Sequence, residues 1–115
     1  MTDYKRCGVW LAKSAKWSSV GEEHKRPVLI ISNDKYNENN EEVICLHLTT
    51  DIHHEYCIGI DYGRDMEINR LVDRSAVRYD AVARYPARIF EKKLGTMKES
   101  KVSEIIKKLD SLLAR

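Results

Sequence analysis

Apolar and polar positions alternate along most of this chain with a strand's period, and only the C-terminus changes to a helix's. The clearest apolar run is Val28-Leu29-Ile30-Ile31, preceded by Lys25-Arg26-Pro27 and stopped by Ser32-Asn33-Asp34. It predicts a buried strand over 28–32 with an arginine posted at its mouth. Proline suits the first residue of such a strand, because its missing N–H costs no ladder bond there. Residues 7–13 predict an earlier strand, with Val9 and Leu11 on one face and Trp10 on the other. Between these two lies a polar stretch, 14–25, whose one large apolar residue is Trp17. Loops of that length on small rigid scaffolds are often functional.

Residues 33–42 read as a polar turn region and 43–49 as a third strand. A short strand follows at 56–60, and 61–69 show no clear period. In 76–82, Val77, Tyr79 and Ala81 alternate with Arg78 and Asp80, which predicts a strand with that arginine and carboxylate two positions apart on one face. Pro86 ends the region, and Arg88-Ile89-Phe90 forms a short last strand or turn. Then Val102, Ile105, Ile106, Leu109, Leu112 and Leu113 recur at helical spacing, with Lys101, Glu104, Lys107 and Lys108 on a solvated face. Thr96-Met97-Lys98-Glu99 offers a capping box for that helix. The sum is α+β: antiparallel strands closed by one amphipathic helix that lies on the sheet as a lid.

At 115 residues the chain is expected to be a single domain, 1–115, with one modest core. A charged fraction of 33% beside 43% hydrophobic residues places it among ordinary globular proteins. No apolar run reaches membrane-spanning length and no signal sequence opens the chain, so the expected location is cytoplasmic. Cys7, Cys45 and Cys57 have no Cys-x-x-Cys spacing and read as reduced, mostly packed thiols. A net charge of +2 permits a local basic groove without demanding one.

Three segments could carry chemistry: Lys25-Arg26-Pro27, His47-Leu48-Thr49-Thr50-Asp51 and Ser75-Ala76-Val77-Arg78-Tyr79-Asp80. An arginine beside a carboxylate suits phosphodiester cleavage, with the carboxylate taking a 2′-hydroxyl proton and the guanidinium stabilising a phosphorane. The same pair also describes a cross-strand salt bridge of little energetic weight. Asp51, His53, His54 and Glu55 have a metal site's composition, but adjacent histidines on extended chain cannot both face one ion, and a surface loop is expected. His47 shares a strand face with Cys45 and Thr49, so it either lines a groove or lies beneath one. Trp17 offers a face on which a base of single-stranded RNA could stack.

Val9-Trp10-Leu11, Arg26-Pro27-Val28-Leu29-Ile30-Ile31-Ser32-Asn33, Leu48-Thr49-Thr50, Ser75-Ala76-Val77-Arg78-Tyr79-Asp80 and Leu94-Gly95 occur in the order in which similar segments occur in the MazF/PemK toxins, including Kid. The chain resembles that family over nearly its whole length. The resemblance implies a small, partly open antiparallel β-barrel of the CcdB/PemK toxin kind, closed by a C-terminal helix and assembled as a homodimer. It implies a sequence-selective endoribonuclease that cuts single-stranded mRNA without metal or other cofactor, leaving a cyclic phosphate and a 5′-hydroxyl. A cognate antitoxin is the implied protein partner. Carried over by position, Arg26 and Thr49 match the residues at the scissile phosphate, and Arg78 and Asp80 match a charge stabiliser and a base. Trp17, His24, Lys25, His47 and Thr50 are the accompanying candidates for RNA contact. The family's opening Arg-Gly-Asp is here Arg6-Cys7-Gly8, and its Gln-x-Arg after the carboxylate is Ala81-Val82-Ala83. Two other readings use the same scaffold: a catalytically silenced RNA- or antitoxin-binding relative, and a CcdB-like inhibitor of gyrase. The second lacks its Trp-Gly-Ile tail, since the sequence ends Leu112-Leu113-Ala114-Arg115.

Overall fold

A strand buried on both faces belongs in the middle of a sheet. Strand β3 (Glu42–Thr49) is such a strand, with Val43 and Cys45 buried on one face and Leu46 and Leu48 on the other. A computed structural model describes residues 4–14 and 24–115 and places β3 between β2 (His24–Ile30) and β6 (Ala76–Pro86). Beyond β2 come β1 (Gly8–Ser14), β7 (Phe90–Met97) and β5 (Met66–Asn69), and beyond β6 comes β4 (Cys57–Gly59). All these pairings are antiparallel. The seven strands curl into a half-barrel with a C-terminal helix, α3 (Glu99–Leu113), laid on one face. This is the predicted architecture.

The helix lies where its apolar stripe requires. Val102 and Ile105 are fully buried and join Val9, Leu29, Leu46, Leu48, Met66, Val77 and Met97 in one core cluster. Each such side chain contributes about 1.5–3 kcal/mol on burial. Ala12, Val28, Ile30, Val43, Cys45 and Phe90 form a second cluster on the opposite sheet face, flanked by Tyr4, Trp10 and Tyr85. All three cysteines are free thiols, and burial pushes that of Cys45 up to about 12. Among the described residues, no helix is long and apolar enough to cross a membrane.

Several predicted boundaries move. The second strand starts at His24 and ends at Ile30, so Pro27 is its fourth residue rather than its first. The polar region after it contains α1 (Asp34–Asn39), capped by Asn33, whose side chain accepts the Tyr36 N–H at 2.8 Å. The aperiodic 61–69 segment holds α2 (Tyr62–Asp65), capped by Asp61, and then β5. Strand β6 continues past Val82 to Pro86, and after a 3-10 turn at Ala87–Ile89 the chain forms the unpredicted β7.

The predicted capping box does not form. Thr96 and Met97 finish β7, and Lys98 caps α3 without a side-chain bond. Glu99 turns instead to Arg6, which donates from Nε and Nη2 at 2.8–3.0 Å, and to Cys7 Sγ at 3.0 Å. Those bonds hold the Glu99 carboxyl down at about 2. Lys101, expected on the solvated face, is buried and paired with Asp65 of α2 at 3.3 Å. Leu113, counted in the apolar stripe, is 75% exposed in the last turn of α3.

Candidate functional site

Pro27 opens the site. Ile30 O accepts Cys7 N–H on the β1 side, and Ile31 N–H donates to Ile44 O of β3, both at 2.9 Å. Backbone groups point to alternate edges along a strand, so Leu29, Pro27 and Lys25 face β3. Proline has no N–H to donate. The β2–β3 register accordingly runs only from Ile30 opposite Cys45 to Val28 opposite His47, and the strands part beyond it.

On the other side of β3, a bulge widens the gap. Leu46 lies opposite Val82 and the next residue, His47, lies opposite Arg78, so Tyr79, Asp80 and Ala81 have no partner in β3. The Tyr79 N–H turns away to Tyr56 O at 3.1 Å. An open cleft of about 520 Å³ results, lined by Lys25, Arg26 and Pro27, by His47, Leu48, Thr49 and Thr50, and by Ser75, Arg78 and Ala81. A larger hollow of about 730 Å³ lies elsewhere, between Tyr4, Asn37, Glu38 and Arg88, and none of the predicted site residues line it.

The cleft brings together Arg26, Thr49 and Arg78 from three strands, with Lys25, His47 and Thr50 beside them. Thr49 Oγ1 accepts the Asp51 N–H at 3.0 Å, so its own proton remains to be donated. Arg78 donates from Nε and Nη2 to the two oxygens of Asp80, at 3.2 and 3.1 Å. Asp80 thus lies against the guanidinium of Arg78, which lines the cleft. Lys25 Nζ lies 3.0 Å from Glu91 Oε2, while Glu91 Oε1 lies 3.6 Å from Lys13. His47 Nε2 is 2.7 Å from the Tyr85 hydroxyl, with the two rings edge to face. Burial, then the charges of Arg26 and Arg78, push the His47 imidazole below its ordinary value of 6.5. The charges of both guanidiniums thus reach the His47 ring, and both side chains line the cleft.

Other predicted residues fall elsewhere. Trp17 lies outside the described residues. His24 opens β2 opposite Ser14, and its side chain is likewise outside the description. In the Asp51 to Glu55 loop, Asp51 Oδ1 accepts the His53 N–H and His54 Nδ1 accepts the Tyr56 N–H, each at 3.2 Å. Those side chains stabilise turns, and among the described residues no three metal-binding side chains converge.

Sequence reasoning missed Tyr85 and Glu91 as neighbours of the site, while Ser75 lay in a segment it had singled out. Plain alternation puts Tyr85 on the face of Val77, and only the bulge turns it onto the face of Val43, Cys45 and His47, so nothing in the sequence signalled it. Glu91 was hidden because its strand was not predicted.

A family model for the PemK-like, MazF-like toxins of type II toxin–antitoxin systems matches residues 5–113. Among solved structures, the chain is similar to an endoribonuclease from Mycobacterial species, with 18% identity, a TM-score of 0.73, and coverage of 98% of this chain and 93% of that one. A MazE–MazF structure from Deinococcus radiodurans (form III) gives 17%, 0.75, 95% and 94% in the same order. An endoribonuclease with its cognate antitoxin from Mycobacterial species gives 19%, 0.72, 95% and 93%. At these identities the likeness carries the fold alone. A comparison with curated protein sequences gives no match.

Proposed function

This chain belongs to the PemK-like, MazF-like toxin family of type II toxin–antitoxin systems, and we propose that it is a metal-independent endoribonuclease that cuts single-stranded mRNA at short sequences. The observation that carries this reading is the convergence of Arg26, Arg78 and the Thr49 hydroxyl on one open cleft. Two guanidiniums and a hydroxyl donor match the non-bridging oxygens of a phosphodiester, and they stabilise the added charge of a phosphorane. Arg26 and Thr49 seat the scissile phosphate. Arg78, oriented by Asp80, takes up charge as the 2′-oxygen attacks in line. A base at the cleft accepts the 2′-hydroxyl proton, and the products are a cyclic phosphate and a 5′-hydroxyl. Lys25 and Thr50 extend the contact along the RNA, with His24 and Trp17 as further candidates. The working form is a homodimer, and its protein partner is a cognate antitoxin.

The test is cleavage of a long single-stranded RNA by purified protein in EDTA. Wild type should give discrete fragments with 5′-hydroxyl ends. Arg26→Ala should lose about 10²–10³-fold in rate, the range for removing one oxyanion donor, at an unchanged urea midpoint. Cleavage that stops in EDTA, or that survives Arg26→Ala intact, refutes the proposal. RNA binding without product would mark a silenced relative instead.

A further inference from the structure

Resting on the endoribonuclease reading and going beyond it, we infer that Asp80 holds the place of a substrate phosphate on Arg78, and that RNA enters the cleft by displacing it. Three cations line the cleft, and two of them meet a carboxylate: Arg78 meets Asp80, and Lys25 meets Glu91. Arg26 is exposed and, among the described residues, takes part in no ion pair. The cleft thus presents one open cation and two that carry their own counter-ions.

The Arg78–Asp80 contact has the form of a bound phosphate. Nε donates to Oδ1 at 3.2 Å and Nη2 to Oδ2 at 3.1 Å. A guanidinium grips two phosphate oxygens by the same two-pronged fork. The pair is open enough to exchange. The Arg78 and Asp80 side chains are 36% and 26% exposed, and ion pairs so open to solvent add little stability. Asp80 also has room in the backbone pattern to turn aside. It lies in the β6 bulge, where Tyr79, Asp80 and Ala81 have no partner in β3, so its movement breaks no ladder bond with that strand.

A phosphate that lands on Arg26 and the Thr49 hydroxyl brings a second anion to Arg78. Two anions on one guanidinium repel each other. The phosphate keeps further donors in Arg26 and Thr49, whereas the Asp80 carboxylate bonds, among the described residues, to Arg78 alone. The carboxylate therefore yields. Asp80 orients Arg78 in the empty cleft, hands it to the phosphate on binding, and lowers the affinity for RNA by the cost of that exchange.

The experiment is a filter-binding titration of wild type and Asp80→Asn with single-stranded RNA, beside a crystal structure of wild type with the same RNA. The RNA carries 2′-deoxyribose at the residue 5′ to the cut, so that it stays intact. Asp80→Asn should bind about 2–5-fold more tightly at low salt, the range set by the worth of an exposed ion pair. Its log-affinity against log-salt slope should steepen by up to about 0.7, one single-strand phosphate contact. In the wild-type complex the Asp80 oxygens should lie beyond hydrogen-bond distance of Arg78 Nε and Nη2. Unchanged or weaker binding by folded Asp80→Asn overturns the inference, because a carboxylate acting only as a base or only as a brace gives those results. A wild-type complex in which Asp80 stays on Arg78 overturns it too, whether or not Asp80→Asn folds. Wild-type protein that binds no single-stranded RNA overturns this and the ribonuclease reading together, whereas wild-type cleavage of RNA with the pair unopened in the complex overturns this one alone.

Discussion

Lys101→Met is the substitution that asks most directly what holds α3 on the sheet. Lys101 and Asp65 are 6% and 7% exposed at the side chain, and their charged atoms are 3.3 Å apart. Glu104 meets the same ammonium at 3.2 Å but is 54% exposed, so it contributes little. Methionine keeps the aliphatic stem and removes the charge, leaving Asp65 with the Asp61 N–H at 2.8 Å and Arg64 Nε at 3.3 Å. Removing one partner of a buried pair costs about 3–5 kcal/mol. Because two donors remain to the carboxylate, the lower end, about 3 kcal/mol, applies.

At about 2.1 cal/mol/K per residue of unfolding entropy, that loss lowers Tm by roughly 12 °C. The assay is urea unfolding with an unchanged slope, alone and in a double-mutant cycle with Asp65→Asn, where the pair should couple by about 1–3 kcal/mol. Burial pushes the Asp65 carboxyl up, but the Asp61 N–H, Arg64 and Lys101 together hold it below its ordinary 3.8. A carboxyl depressed in the folded state stabilises fully above its unfolded value and loses that contribution as pH falls through the folded one. Wild-type protein should therefore lose this increment below about pH 4, and Lys101→Met should have a smaller increment to lose there. The cleft lies on the other sheet face, so RNA cleavage at 25 °C should persist. A midpoint shift under about 0.5 kcal/mol, or strictly additive single mutants, would refute the reasoning.

Two further outcomes test the strand unseen in the sequence. Glu91→Gln should release Lys25 to RNA phosphates, tightening binding at low salt and steepening the log-affinity against log-salt slope by about 0.7, the worth of one single-strand phosphate contact; an unchanged slope in a filter-binding titration counts against it. At Gly95, φ is +156° and an added methyl would collide with the Ile68 carbonyl oxygen and crowd Met66. Gly95→Ala should thus cost at least about 2 kcal/mol through strain and lost β5–β7 pairing, read as a lower urea midpoint.

The parts of the fold legible in the sequence were those whose burial matches a period. Strand β3 and helix α3 show that match in Val43, Cys45, Leu46 and Leu48, and in Val102 and Ile105. Strand β7 was illegible because Glu91-Lys92-Lys93 are all exposed, although their backbone is paired between β1 and β5. Helix α1, of six residues, is too short to show a period. Lys101 lies in a polar gap of the helical pattern, and only its tertiary partner Asp65 explains its burial. At the site, Arg26, Thr49 and Arg78 belong to strands that sequence placed well, but their convergence came from the resemblance. The bulge at Tyr79, Asp80 and Ala81 was invisible, because the residues around it keep a regular alternation.

The two ends of β1 and β2 show how such a sheet accommodates both stability and a cleft. At one end Cys7 adopts φ +78°, a glycine's conformation, where the family's pattern has glycine. An L-residue there costs about 1–2 kcal/mol. Its N–H donates to Ile30 O, its carbonyl accepts the Met97 N–H at 2.8 Å, and its thiol, pushed up to about 12 by burial and Glu99, donates to that carboxylate. Three hydrogen bonds offset the strain, and this end of the sheet stays closed. At the other end Pro27 removes a donor, the β2–β3 register stops at Val28 opposite His47, and β6 bulges. The parted edge leaves Arg26 and Arg78 lining an open cleft, where a phosphate can accept from both guanidiniums. Tightening that edge with a regular strand would add ladder bonds worth about 0.5–1.5 kcal/mol each and bring β2 against β3 where Arg26 and Thr49 now stand apart. The cleft exists because the sheet forgoes that stability where Arg26, Thr49 and Arg78 meet.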